Sequence, residues 1–370
     1  MRVRTRILLD MEGNMKFLTR LLVAACVLLL VAGLSFAGGK GESSGSGARP
    51  LNVGVLVSTV GIPALYAQDQ GWFTEAGLNV NLQIFATGVP VNEAIAAGRL
   101  DMACSGFASV YSLANGNCVW LLDINSTGGM GIFARKDSPV AAAGRNVSGF
   151  PNILGSASTV RNLQVLGPVG TAPQFMVEGY ATRLGLQPSE LRMLNMEYVP
   201  AYQAFTSGQG DLNATNPPTS YRMDDEGFVK VVTFEDATGV TLMDGFFARS
   251  EIVKSRPDEV QKFVEILIKA MDALQDKQLR FSYSMYRFIA NGTNYTNDAL
   301  NREIEDRDYI GTKFVTAPNY VFGEAWGAIT DFLVRNERIT KENGPNVAKS
   351  LDPGYLSKSV GRSINKYTGK

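Results

Sequence analysis

Asp101 and Asp211 stand in matching contexts, AAGRLDMACSG (Ala96 to Gly106) and TSGQGDLNATN (Thr206 to Asn216), with Gly98 and Gly208 110 positions apart. Two acids placed alike invite comparison with the carboxylate pairs of general acid–base catalysis. The same residues suit a structural task equally: an Asp that follows a helix-stopping glycine closes the turn into the next strand by accepting backbone N–H bonds. Equivalent positions put both acids at strand starts, away from the C-terminal strand ends where α/β proteins gather ligands. The structural reading takes precedence, and the repeat speaks of architecture rather than catalysis.

Other reactive chemistry is sparse. The chain has no histidine, which removes the commonest general base and the commonest zinc ligand together and leaves any serine nucleophile without its usual base. Beyond the N-terminal segment the cysteines are Cys104, in MACSG, and Cys118, in CVWLL. They either pair in an oxidising compartment or are buried separately, and two thiols without histidine make a poor metal site. No catalytic residue, metal or cofactor is expected. Residues 1 to 37 hold five basic and two acidic residues, so the remainder carries 30 basic against 33 acidic. That weakly acidic body lacks the polybasic surface a nucleic acid needs.

Binding chemistry remains. In α/β sheets, helix N-termini at the C-terminal strand ends offer unpaired N–H groups and a positive partial charge to a ligand. The corresponding stretches are small and hydroxyl-rich: Ser58, Thr59 and Gly61 after the first strand, Ser105 and Gly106 after the third, and Thr171, Ala172 and Gln174 at the opening of a later helix. Asn213, Thr215 and Asn216 close the wall, and Asp244 joins them just before GFFARSE. Thr171, with Pro173 just inside, is placed as an N-cap; cap and ligand contact can coexist there.

Alternating strand and helix patterns must position these residues. LNVGVLV (51–57), a helix after Pro63, NVNLQIF (79–85), VPVNEAIAAG and DMACS read β-α-β-α-β. LQVLGPVG (163–170), APQFMVEGYATRLG, LRMLNMEYV (191–199), AYQAFTSG and DLNAT repeat that order, and GIFARKD (131–137) is echoed by GFFARSE (245–251). Two related α/β lobes follow, as 370 residues allow. The last third is helical: SRPDEVQKFVEILIKAMDAL sets Val260, Phe263, Val264, Leu267, Met271 and Leu274 on one apolar stripe, and Trp326, Ile329 and Leu333 mark a second such helix. Trp72, Trp120 and Trp326 are expected to pack rather than to stack on a ligand.

The N-terminus reads as an export signal. MKFLTR from Met15 is followed by LLVAACVLLLVAGL and Ser35-Phe36-Ala37, so cleavage is expected before Gly38, with Met1 to Asn14 an extension and residues 38–50 a flexible linker. An acylated Cys26 within VAAC is the alternative.

The run GWFTEAGLNVNLQIFATGVPVNEAIAAGRLD, then VGTAPQ, then LGLQPSELRMLNMEYVPAYQAFTSGQGD, then RPDEVQKFV resembles the nitrate, sulfonate and taurine branch of the substrate-binding proteins of ABC importers, over about residues 50 to 340. The resemblance implies a type II periplasmic binding protein fold: two α/β lobes joined by two crossover strands, lobe one spanning 51–138 plus 245–370 and lobe two 139–244. It further implies an extracytoplasmic monomer that captures a small organic or inorganic anion by lobe closure and delivers it to a permease and its ATPase. One departure is visible: NATNPPTSY stands where such proteins often carry an acid-Pro-aromatic stretch. A neutral or aromatic heterocycle such as a thiamine-pyrimidine precursor is the alternative ligand, and a sensor module without a transporter the alternative role. Thiamine-pyrimidine synthases, also similar to this chain, consume their own histidine, which this sequence lacks.

Overall fold

The computed structural model describes Arg49–Gly369 apart from Thr293 and Asn294. The export signal, the start at Met15, Cys26 and the linker as far as Ala48 lie outside the described residues. Among the described residues no helix is long and apolar enough to cross a membrane.

Among the described residues, ten strands form two five-stranded sheets. β1 (Leu51–Leu56), β2 (Val80–Phe85), β3 (Met102–Ser105), β4 (Cys118–Ser126) and β10 (Met243–Arg249) make the first, in the order β2-β1-β3-β10-β4. β5 (Gly131–Ala134), β6 (Gln164–Gly167), β7 (Arg192–Asn195), β8 (Leu212–Thr215) and β9 (Val229–Thr233) make the second, in the order β7-β6-β8-β5-β9. β1 runs parallel to β2 and β3, and β6 parallel to β7 and β8. β10 lies antiparallel between β3 and β4, and β5 antiparallel between β8 and β9. The GIFA and GFFA echoes are thus the fourth strands of the two sheets.

Those fourth strands correct one boundary. The division at 138/139 puts Gly131–Ala134 with the first lobe, whereas its hydrogen bonds are with β8 and β9 of the second sheet. The chain leaves the first sheet after Ser126 and returns at Met243, where Asp244 faces Asn125 of β4. The two connections, on either side of Met130 and Thr241, touch where the Thr127 amide and hydroxyl both donate to Leu242 O at 3.0 Å.

The repeated aspartates act as strand closers. Asn52 N donates to Asp101 Oδ2 at 2.9 Å while Asp101 N donates to Asn52 O at 2.8 Å. Gln164 N donates to Asp211 Oδ2 at 2.8 Å while Asp211 N donates to Gln164 O at 2.8 Å. The same reciprocal pair joins β1 to β3 and β6 to β8.

The apolar stripe of the helix Pro257–Ala273 is buried together with Leu274 against the first sheet's helices, and Phe263 stacks on Phe73 at 5.3 Å. Removing such a ring costs about 3–5 kcal/mol. Trp120 and Trp326 are fully buried and meet edge to face at 4.9 Å; Trp72 is half-buried against Tyr66. Cys104 and Cys118 are buried free thiols, each pushed up to about 12 chiefly by burial, so the disulfide alternative is not realised.

Candidate functional site

The C-terminal ends of β1 and β3, the end of β4 and the start of β10 converge on one wall. Ser58 O accepts from Gly61 N at 2.9 Å and from Ile62 N, a tight turn that starts the helix Ile62–Asp69. A Cβ on Gly61 would strike the Leu56 carbonyl, which explains the glycine. Asp244 is half-buried beside Gly106, where any Cβ would collide with its carboxylate. Asn125 Nδ2 donates to Ser126 O at 2.8 Å and to Asp244 Oδ2 at 3.4 Å, leaving Asn125 Oδ1 buried without a partner. The Ser105 hydroxyl is likewise buried and unpartnered. Burial pushes the Asp244 carboxyl up to about 6, against the opposing pull of Arg307 and the Asn125 hydrogen bond, with Glu303 adding to the rise. This wall is rich in acceptors.

The second sheet supplies the facing wall through two helix N-termini. Thr171 holds the N-cap position of the helix Ala172–Arg183 with extended backbone, yet its hydroxyl donates to Pro168 O at 2.8 Å and accepts no helix N–H. The N-cap position is as expected, but the capping hydrogen bond is not made. Gln174 closes the loop instead: its Oε1 accepts from Gly170 N at 2.8 Å and its Nε2 donates to Glu178 Oε1 at 2.7 Å. Ala172 is buried at the first helical position. Tyr198 opens the helix Tyr198–Thr206, with its hydroxyl beside Thr171 and within electrostatic reach of Asp244 and Arg307. Burial first, then Asp244, pushes that phenol up and keeps it a hydrogen-bond donor. Asn213 and Thr215 share one face of β8; both Asn213 amide atoms and the Thr215 hydroxyl are buried and unpartnered.

The walls approach closely. Val89 Cγ2 would lie 3.7 Å from a Cβ on Gly170, and Phe107 stacks on Phe175 at 5.3 Å. A segment from the C-terminal third ties them together. Arg307 is fully buried; its Nε donates to Gly128 O at 2.8 Å, its guanidinium to Asn216 Oδ1, and Glu303 stands 3.7 Å away. Glu303 accepts from the hydroxyls of Thr59 and Tyr295, and Tyr309 donates to Thr59 O at 3.1 Å. Thr59 and Asn216 therefore meet through an ion pair rather than directly.

Of the residues expected from sequence, Ser105, Gly106 and Asp244 come together on one wall, with Ser58 and Gly61 shaping the turn after β1. Thr171, Ala172 and Gln174 gather on the other wall, and Asn213, Thr215 and Asn216 follow the end of β8. Sequence reasoning misses Asn125, Tyr198, Glu303 and Arg307. Asn125 had a signal, a lone amide ending the apolar strand CVWLLDINS. Arg307 had none: EIEDRDY reads as a solvated, salt-bridged helix end.

The arrangement sets a charged acceptor wall against a donor wall, which suits binding of a small polar solute. Residues 44–284 match the model of the NMT1-like family. A relative named for the ABC transporter periplasmic binding proteins, from Brachyspira hyodysenteriae, is 27% identical over 95% of this chain and 100% of its own length. The alkanesulfonate-binding protein of Xanthomonas axonopodis pv. citri, solved bound to MOPS, superposes with a TM-score of 0.62 at 15% identity, covering 83% of this chain and 99% of that one. The periplasmic nitrate-binding protein of Synechocystis PCC 6803 gives 0.61 at 12% identity over 84% and 88% of the two chains. Likeness at that identity shows the shared periplasmic binding protein fold. With well over half of its length matched, the chain belongs to the NMT1-like family.

Proposed function

We propose that the chain is the extracytoplasmic solute-binding component of an ABC importer, closing on a small anion of the sulfonate, nitrate and taurine class. Support comes from one observation above the rest: Asp244, Tyr198 and Thr171 share the space between the two sheets, an acid facing two helix N-termini. Helix N-termini favour an anionic group. Asp244 and the free Asn125 Oδ1 favour a donor, so within the class the pairing suits a solute with an anionic group at one end and an amine at the other. A second reading, a neutral heterocycle bearing an exocyclic amine, is favoured by the Asp244 carboxyl, whose affinity for protons is already raised.

Thermal unfolding with taurine, ethanesulfonate, nitrate and a 4-aminopyrimidine separates these. At one common concentration taurine is expected to stabilise most, reaching about 2.7 kcal/mol where that concentration is one hundred times its dissociation constant. Stabilisation by the aminopyrimidine alone transfers the assignment to the heterocycle, and no response to any of the four overturns the reading. Processing before Gly38, read by mass spectrometry, tests the export that the role requires; an acylated Cys26 at the N-terminus contradicts that processing. Co-purification with a permease and its ATPase tests the transport partner against a sensor role, and light scattering tests the monomer.

A further inference from the structure

Beside the second crossover lies a cavity of about 480 Å³ that none of the cleft residues lines. Its volume is that of a small-molecule site. One wall is the crossover itself, from Gly239 to Met243; the other is built from residues between Phe314 and Ala328. Two features of its lining point to a ligand. Phe314 is 40% exposed, a large apolar side chain left facing solvent, and its ring meets Tyr320 edge to face at 5.8 Å. The charged residues of the lining are Asp123 and Glu324, with no lysine or arginine among them.

The two acids play different parts. Asp123 is buried and its oxygens are taken, Oδ1 by Trp120 Nε1 at 2.7 Å and Oδ2 by the Tyr320 hydroxyl at 2.6 Å. It fixes the tyrosine ring as one face of the cavity. Glu324 also lines the cavity and is exposed to solvent. An aromatic corner beside an exposed carboxylate suits a ring that carries a cation, because the ring buries apolar area while ammonium is drawn to both the carboxylate and the aromatic faces.

We propose that this cavity binds a small aromatic amine, its ring against Phe314 and Tyr320 and its ammonium toward Glu324. The site is separate from the cleft and does not depend on the solute assigned there. The test titrates the processed protein with 2-phenylethylamine, 2-phenylethanol and phenylacetate by calorimetry. The amine should bind at least tenfold more tightly than the alcohol, and the acid more weakly than either. Glu324→Gln should bring the amine to the level of the alcohol, while Phe314→Ala weakens both; the exposure of the two side chains leaves the fold intact, which a melting curve confirms. Asp244→Asn, in the cleft, should leave amine binding unchanged. Equal binding of amine and acid, an unaltered amine affinity in Glu324→Gln, no amine binding at millimolar concentration, or loss of binding in Asp244→Asn each overturns the proposal, the last by moving the amine to the cleft.

Discussion

The two sheets share one strand order and one aspartate turn, yet they bury that turn differently and face the cleft with opposite chemistry. Asp101 is fully buried, bonded to Arg49 at 2.6 Å with Arg249 at 3.5 Å and Arg256 at 3.9 Å, whereas Asp211 is exposed. At the other end of the strands, the first sheet offers Asp244 and Asn125, and the second offers the helix N-termini at Thr171 and Tyr198. A duplicated scaffold fixes where the backbone goes. Charge at each copy is set by what the later helices lay over it: the segment carrying Glu303 and Arg307 reaches both sheets and has no counterpart in the repeat.

That difference sets the order of effects on stability. Asp101→Ala should cost about 3–5 kcal/mol, since it strips a buried ion from its arginines and an acceptor from Asn52 N. Asp211→Ala should cost about 1 kcal/mol, the worth of one exposed hydrogen bond. Equal losses in urea unfolding would show that burial does not distinguish the copies. Arg307→Ala belongs with the larger effects, about 3–5 kcal/mol, because Glu303 would be left buried without its partner cation; Arg307→Lys should recover only part, as a single ammonium reaches Gly128 O or Asn216 but not both.

The acceptor wall makes a pH prediction. Because Asp244 titrates near 6 when folded and nearer 4 when unfolded, the folded state holds the extra proton between those values. Its contribution to stability is therefore greatest at low pH and is lost as pH rises from about 4 to 6. Asp244→Asn should flatten that segment of the stability curve and, at pH 7, gain up to about 2.7 kcal/mol over the parent. A curve of unchanged slope in the variant would refute the assignment. An effect as small as that of Asp211→Ala belongs to the donor wall: Thr171→Ala should cost about 1 kcal/mol through the lost bond to Pro168 O, and Thr171→Ser should restore it. A loss that serine leaves unrepaired would mean that the methyl packing, not the hydroxyl, holds the loop.

Much of the scaffold was legible because local signals carry it. Helix-stopping glycines, alternating strands and the paired Asp turns are properties of short segments, and they recur in the same order at an offset of 110 to 114 residues. The boundary near 138 was misplaced for a physical reason: β5 and β10 look alike because they fill the same slot in different sheets, and no local feature says which sheet claims a strand. Thr171 was legible as a helix start but not in its bond to Pro168, which depends on the loop's curvature. Arg307 was not legible, since an arginine among acids at a helix end is ordinarily solvated; its burial comes from packing against Gly128 and Asn216, more than 90 residues away in sequence.

Calorimetric titration of taurine into the parent and into Asp244→Asn tests the two-faced cleft most directly. If the amine of the solute meets Asp244 while its sulfonate meets the helix N-termini at Thr171 and Tyr198, the variant should bind taurine about 10- to 100-fold more weakly, the worth of one charge-assisted hydrogen bond, and nitrate as well as the parent does. Taurine binding of equal strength in both proteins would contradict it.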